Sequence, residues 1–482
     1  MKVLFINLDN LNSEIKYVKE PYVRGIVDYG IYLHVKGQTN NYSSDDKRNY
    51  FIIGKGYEDK AVFIFRNVLT KKLEISIISG LGKFFEKSGL NGIVFYGKSD
   101  KKFFLIIEND NVMFLEENLS ENIYEKYEFL KKELENIYSS DFSISLLGLA
   151  SKNTSYGSLF TFYDKISVSS EGVGSSLYKQ HNIIGFSLGG NYEFKEKINL
   201  NLDLENKSLY NVYSIFRGNL PYLNYQNIYL NREEREKFFM KFLEEKISDV
   251  KMPFEVFHIG PFLGIFDINL IKELVNQINK FGFNAKYLAY ILGAVMEGIY
   301  RKYINYDKVP VFDIKDYVED YSLKNYEVAS SLIEDIALNK LSILGNNIRY
   351  LTKKLNIKDI AFYIPIGNEY DSVPIFLISL GLIFPNMYYD KYFTDYEIQN
   401  LEPEDYAKLC LSKLKITYSL HNGKENEFWI KHLFEYNKDL KPEFFESKRT
   451  LDYVNFLFKE IGMKYSLEEY WNRWFNSYFS SI

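Results

Sequence analysis

Ser88-Gly89-Leu90-Asn91-Gly92-Ile93-Val94-Phe95-Tyr96-Gly97-Lys98 sets a β-branched and aromatic run between glycines, the pattern of a buried strand held by tight turns. After Gly97-Lys98-Ser99-Asp100 comes a second run, Phe103–Ile107. A third, Val112–Phe114, follows Glu108-Asn109-Asp110-Asn111, so the spacing predicts a meander. Towards the N-terminus, Val3–Ile6, Phe51–Ile53 and Val62–Phe65 read as strands too. One helix interrupts them: over 121–138, Ile123, Tyr127, Leu130, Leu134 and Ile137 recur at helical spacing among charges.

The period changes further on. Residues 190–228 are polar, Asn-rich and without period, and read as a connector. Segments 232–248, 268–280, 285–304, 324–340 and 341–355 carry apolar positions at helical spacing, and Ser466-Leu467-Glu468-Glu469 is a capping box opening a last helix. The fold class is therefore α+β, with a β-rich domain over 1–195, a connector over 196–228, and helical domains over 229–360 and 361–482. No repeat of fixed period is visible.

Composition narrows the function. The 482 residues are 46% hydrophobic and 26% charged, with 42 Tyr and 39 Phe, so the core is large and aromatic. A net charge of −5, from 59 basic and 64 acidic residues, leaves no footprint for a phosphate backbone, and no nucleic-acid partner is expected. The apolar run after Met1 is too short for a signal peptide, and Val373–Pro385 falls short of the roughly 20 residues that span a bilayer. A cytoplasmic protein without a membrane partner is the expectation. The single cysteine, Cys410, permits no internal disulfide and no all-cysteine iron–sulfur cluster.

The Ser88–Lys98 block resembles a strand segment of the aldehyde ferredoxin oxidoreductase family, and three further blocks resemble that family in the same order. They are Leu147-Gly148-Leu149-Ala150-Ser151-Lys152-Asn153 with Glu171-Gly172-Val173-Gly174, then Ile259–Asp267 running into Asn279–Asn284, then Ile364–Asn368. The resemblance implies an N-terminal β domain cradling a tungsten bis-pterin, two helical domains closing over it, and a four-cysteine [4Fe–4S] cluster feeding ferredoxin. The chain departs from that pattern where chemistry is done. The cluster is excluded by the cysteine count. The arginines expected to grip pterin phosphates are missing from Ile166-Ser167-Val168-Ser169-Ser170-Glu171-Gly172 and from Lys60-Ala61-Val62.

What remains of a site by resemblance is a set of cavity positions: Gly172 and Gly174, with Gly80 and Gly82 as a second pair, and Asn279, Gly282 and Asn284 in place of the pterin-binding Asp-x-x-Gly-Leu-Asp motif. Gly282 and Asn284 are explained completely by a glycine that ends one helix and an asparagine that caps the next. A second copy of the motif is not recognisable in 400–425. Glu255, His258 and Glu369 are the catalytic candidates, and no metal ligand set is expected. His34, His181, His258, His421 and His432 share no ligand spacing, and Glu273 matches a glutamate that some family members use for an interface ion.

The leading expectation is a non-catalytic, degenerate paralogue without cofactor, present as a homodimer or as a heteromer with an active relative. The alternatives are a tungsten or molybdenum bis-pterin aldehyde oxidoreductase using a partner's cluster, and a small-ligand binder reusing the interdomain cavity.

Overall fold

The computed structural model describes residues 1–116, 119–192, 222–237, 259–318, 321–363, 402–437, 447–460 and 462–480. The N-terminal unit runs β1 (Lys2–Asn7), β2 (Asn12–Tyr17), α1 (Ile26–Lys36), β3 (Phe51–Lys55), β4 (Ala61–Arg66), β5 (Leu73–Ile78), α2 (Gly82–Ser88) and β6 (Gly92–Tyr96). It continues with β7 (Phe103–Glu108), β8 (Asn111–Leu115), α3 (Ile123–Leu134), β9 (Phe142–Leu147), α4 (Leu149–Asn153), β10 (Leu159–Phe162), β11 (Ile166–Val168), α5 (Val173–His181) and β12 (Ile183–Gly189).

The twelve strands make two six-stranded sheets, ordered β2-β1-β6-β3-β4-β5 and β8-β7-β12-β9-β10-β11. The connectivity is the same in both. A hairpin leads, three antiparallel strands follow, and a crossover helix (α2 or α5) returns the last strand parallel to the first: β6 beside β1, β12 beside β7. The unit is a structural duplication that leaves no period in the sequence. The meander expected from β6 to β8 is corrected accordingly: β7 and β8 form a hairpin, but Gly97–Asp100 carries the chain from one sheet to the other. The expectation of a single helix is corrected as well, since α1, α2, α4 and α5 accompany α3.

Both faces of a central strand are buried, which is why the runs read as continuously apolar. Phe103, Leu105 and Ile107 of β7 point between the sheets, while Phe104 and Ile106 point outward under α3. Phe51, Ile53, Phe63, Phe65 and Phe95 fill the sandwich from the first sheet. That sheet's outer face, with Ile52, Val62 and Ile64, merges with α1 and the helical half into one core.

The helical half contains α6 (Ile268–Phe281), α7 (Ala285–Tyr300), α8 (Ser322–Ala337), α9 (Ile348–Lys354), α10 (Pro403–Asn422), α11 (Glu427–Asn437), α12 (Lys448–Glu460) and α13 (Leu467–Ser480). Glu469 N donates to Ser466 Oγ at 3.2 Å, the serine's half of the expected capping box, at the start of α13. Tyr222, Leu223 and Tyr225, at the end of the expected connector, are fully buried. Beside them lies a buried ion pair. Arg449 donates to Glu297 at 2.8 Å, Arg301 reaches the same carboxylate at 2.9 Å, and Asn224 donates to it at 2.9 Å. α11 covers the edge of β5, where the Asn437 side chain accepts from Leu73 N and donates to Leu73 O, both at 3.0 Å.

Candidate functional site

Gly172 and Gly174 sit at the start of α5, a place where free backbone N–H groups ordinarily welcome an anion. Here the turn between β9 and β10 fills it. Ser175 N donates to Gly157 O at 3.1 Å, and Gly157 N donates to Ser175 Oγ at 2.8 Å. A methyl at Gly174 would lie 2.4 Å from Ser151 Oγ and 2.5 Å from Ser158 O. Gly172, at φ +81°, has Asn67 Oδ1 where a side chain would go. The first sheet repeats the arrangement at α2: Gly82 N donates to Asp59 O at 2.7 Å, and a methyl there would meet Lys60 O at 2.2 Å. In both halves the glycines admit the chain's own carbonyl, offered by the turn between the third and fourth strands.

The β9–β10 turn also receives the α6–α7 junction. Gly282, at φ +82°, ends α6, and Asn284 caps α7 by accepting from Tyr287 N at 3.1 Å. Ser158 N donates to Gly282 O at 3.0 Å, Phe283 bridges to Gly157, and a methyl at Gly148 would lie 2.3 Å from Phe281 O. Tyr156 completes the contact, stacked on Phe283 with its hydroxyl donating to Leu344 O at 2.8 Å. Gly172, Gly174 and Gly282 are thus gathered around one turn, but as a packed joint. Asn279, half-buried, supplies its carbonyl to Gly282 N at 3.0 Å. Glu255, His258 and Glu369 lie outside the described residues.

Residues 3–187 match the family model described as aldehyde ferredoxin oxidoreductase, N-terminal domain. The two-sheet unit belongs to that family. Over the whole chain, an uncharacterized protein of Methanocaldococcus jannaschii is 24% identical across a 593-residue alignment covering 94% of this chain and 95% of that protein. The alignment is longer than this chain, so the relative carries segments without counterpart here. Among solved structures, the active-site complex BamBC of benzoyl coenzyme A reductase, in complex with 1,5-dienoyl-CoA, matches with a TM-score of 0.62 and 12% identity, covering 100% of this chain and 97% of that one. The likeness in fold to that structure therefore extends over the helical half, beyond the residues that the family model matches.

The residues lining the α5 start do not fit an anionic pterin. Glu171 and Glu74 are both buried, and Asn67 Nδ2 donates to Glu74 Oε2 at 2.7 Å and to Glu171 O at 3.2 Å. Burial raises the Glu74 carboxyl to about 7, and the Glu171 charge adds to the rise against hydrogen bonds from Thr70 and Asn67 and the charge of Lys72. The hydroxyls here are spent internally: Ser76 and Ser170 bond at 2.7 Å, and Ser158 Oγ donates to Ser170 O at 3.2 Å. Arg66 is committed to the carbonyls of Thr39 and Tyr42. Where a phosphate would need free cations, the site holds two carboxyls, with the buried Lys72 charge acting on Glu74.

A counterpart joint, missed in the sequence, lies on the first sheet. α10 ends at Gly423, φ +80°, and a methyl at Gly25, the N-cap of α1, would lie 2.0 Å from Asn422 O. Asp28, fully buried, accepts from Arg24 N at 2.7 Å, Tyr418 Oη at 2.6 Å, and the amides of Asn422 and Asn426, both at 2.8 Å. His421 Nδ1 accepts from Tyr57 N at 3.2 Å, in the turn between β3 and β4. The one signal for it in the sequence is Asn422-Gly423 closing a helical stretch.

Burial holds three histidines neutral: His34 at about 3, His181 at about 4 and His421 at about 3. His432 is at the surface beside Glu435, and the exposed Glu273 accepts from Tyr326 Oη at 2.7 Å. Among the described residues no group of three His, Cys, Asp or Glu could hold a metal ion, and no helix is long and apolar enough to cross a membrane.

Proposed function

We propose that this chain is a non-catalytic relative of the aldehyde ferredoxin oxidoreductases, its fold retained for assembly, and that it acts as a partner subunit beside an active relative in the cytoplasm. The observation that carries this reading is the filled α5 start. The glycines that resemble a phosphate-binding turn admit the β9–β10 backbone, and the buried groups beside them are Glu74 and Glu171. The one cysteine supports it independently, because four thiolates are needed to hold a [4Fe–4S] cluster. The heteromeric setting is supported by the fold shared with the BamBC complex.

The test is elemental analysis for tungsten, molybdenum and iron, with fluorescence of released pterin, on protein purified from its native source, and mass spectrometry of what co-purifies. Substoichiometric metal and pterin with a companion protein is the expected result. Stoichiometric tungsten or molybdenum with pterin, together with aldehyde oxidation by the purified chain, overturns the proposal.

A further inference from the structure

The four sheet edges are treated differently. β5 is buried under α11 and bonded by Asn437. β11 is only three residues long, and β8 carries no charge along Asn111–Leu115. β2 is six residues long and, Ile15 apart, exposed throughout, with Tyr17 70% exposed. Among the described residues only β1 pairs with it. An exposed edge of this length is a template for another strand unless something blocks it.

Charges block such pairing where they face their like. β2 instead carries two of opposite sign, Glu14 and Lys16, on one face and flanking Ile15; they pair with each other at 2.6 Å and remain 55% and 47% exposed. We propose that two copies of this chain join through β2, antiparallel about a two-fold axis through Ile15, so that the two sheets become one of twelve strands. In that register Glu14 stands opposite Lys16 of the second copy and Lys16 opposite its Glu14, giving two cross-strand ion pairs. Sliding by two residues one way places Glu14 opposite Glu14, and the other way Lys16 opposite Lys16. The charge pattern therefore selects one register and one partner, a second copy.

Sedimentation of the full-length chain tests this over a hundredfold concentration range, with Glu14→Lys, Lys16→Glu and the double exchange. The wild type is expected to dimerise. Each single reversal sets like charges opposite each other at both pairs and weakens dimerisation roughly tenfold or more; the double exchange restores it. Melting temperatures compared at a concentration low enough to leave every variant monomeric separate association from folding. A wild type that stays monomeric, single variants that dimerise normally, or a double exchange that fails to restore dimerisation each overturn the proposal.

Discussion

Two glycine-capped helix ends, Gly282 and Gly423, meet the two sheets at matching turns by unlike means. At Gly282 the joint is backbone against backbone with an aromatic plug: Ser158 N to Gly282 O, Phe283 beside Gly157, and Tyr156 stacked on Phe283. At Gly423 it is built of side chains around one buried carboxylate, Asp28, with a neutral histidine alongside. A duplicated scaffold has thus kept the place of each joint but not its chemistry. The first should respond to shape alone, and the second to protonation and to loss of single polar groups.

The largest expected effect comes from removing the carboxylate that organises the second joint. Asp28→Ala leaves the Tyr418 hydroxyl buried without an acceptor and takes one acceptor each from the amides of Asn422 and Asn426, which keep Lys424 O and Tyr22 O, and should cost on the order of 3–5 kcal/mol in urea unfolding. A loss below about 1 kcal/mol would mean that the docking does not depend on Asp28. The matching break in the first joint is Gly148→Ala. Its φ of −102° suits any residue, so the expected cost of about 2–4 kcal/mol comes only from the approach of Phe281 O. An unchanged melting temperature would show that the joint opens without penalty.

Acid should separate the joints next. His34, His181 and His421 stay unprotonated in the fold, whereas the unfolded chain takes up protons near their ordinary value of 6.5. Their contribution is present above that pH and is lost as pH falls towards 4, by about 1.4 kcal/mol per pH unit for each histidine. Glu74 has the opposite sign. It keeps a proton to about pH 7 that the unfolded chain releases near 4.5, so its contribution is lost as pH rises through that window. Stability measured against pH should therefore fall steeply on the acid side. His421→Leu should remove one proton from that slope, and Glu74→Gln should steepen it while raising stability above pH 7. If neither variant changes the slope, other groups govern the pH response.

The smallest effect is expected at Asn284→Ala, about 1 kcal/mol for a lost helix cap. A pterin-holding role for Asn284 would show instead as loss of cofactor with little loss of stability.

The central strands were legible because period-two runs buried on both faces read as continuous apolar stretches, as in Phe103–Ile107. α6, α7 and their cap at Gly282 and Asn284 were legible because the signal is local. α1 was not, because Ile26, Val27, Tyr29 and Ile31 are buried around it and leave no polar stripe to betray a helix. α5 was hidden by its small residues, Gly174, Ser175 and Ser176, which suit a helix squeezed between sheets but propose none. The Asp28 network was illegible in principle, since Tyr418, Asn422 and Asn426 lie 390 to 398 residues away in the chain. The catalytic candidates Glu255, His258 and Glu369 fall outside the described residues, so the candidate site rests on the glycine joints.

The cover on β5 has a consequence for synthesis. The strand, buried throughout in the fold, emerges early, yet the asparagine that bonds its open edge is made 364 residues later. At ordinary translation speeds that interval is on the order of half a minute. During it the growing chain exposes an adhesive edge that nothing in its own finished part can shield. Its yield should therefore depend on chaperone supply, and C-terminal truncations should fail by aggregating before they fail by losing a partner.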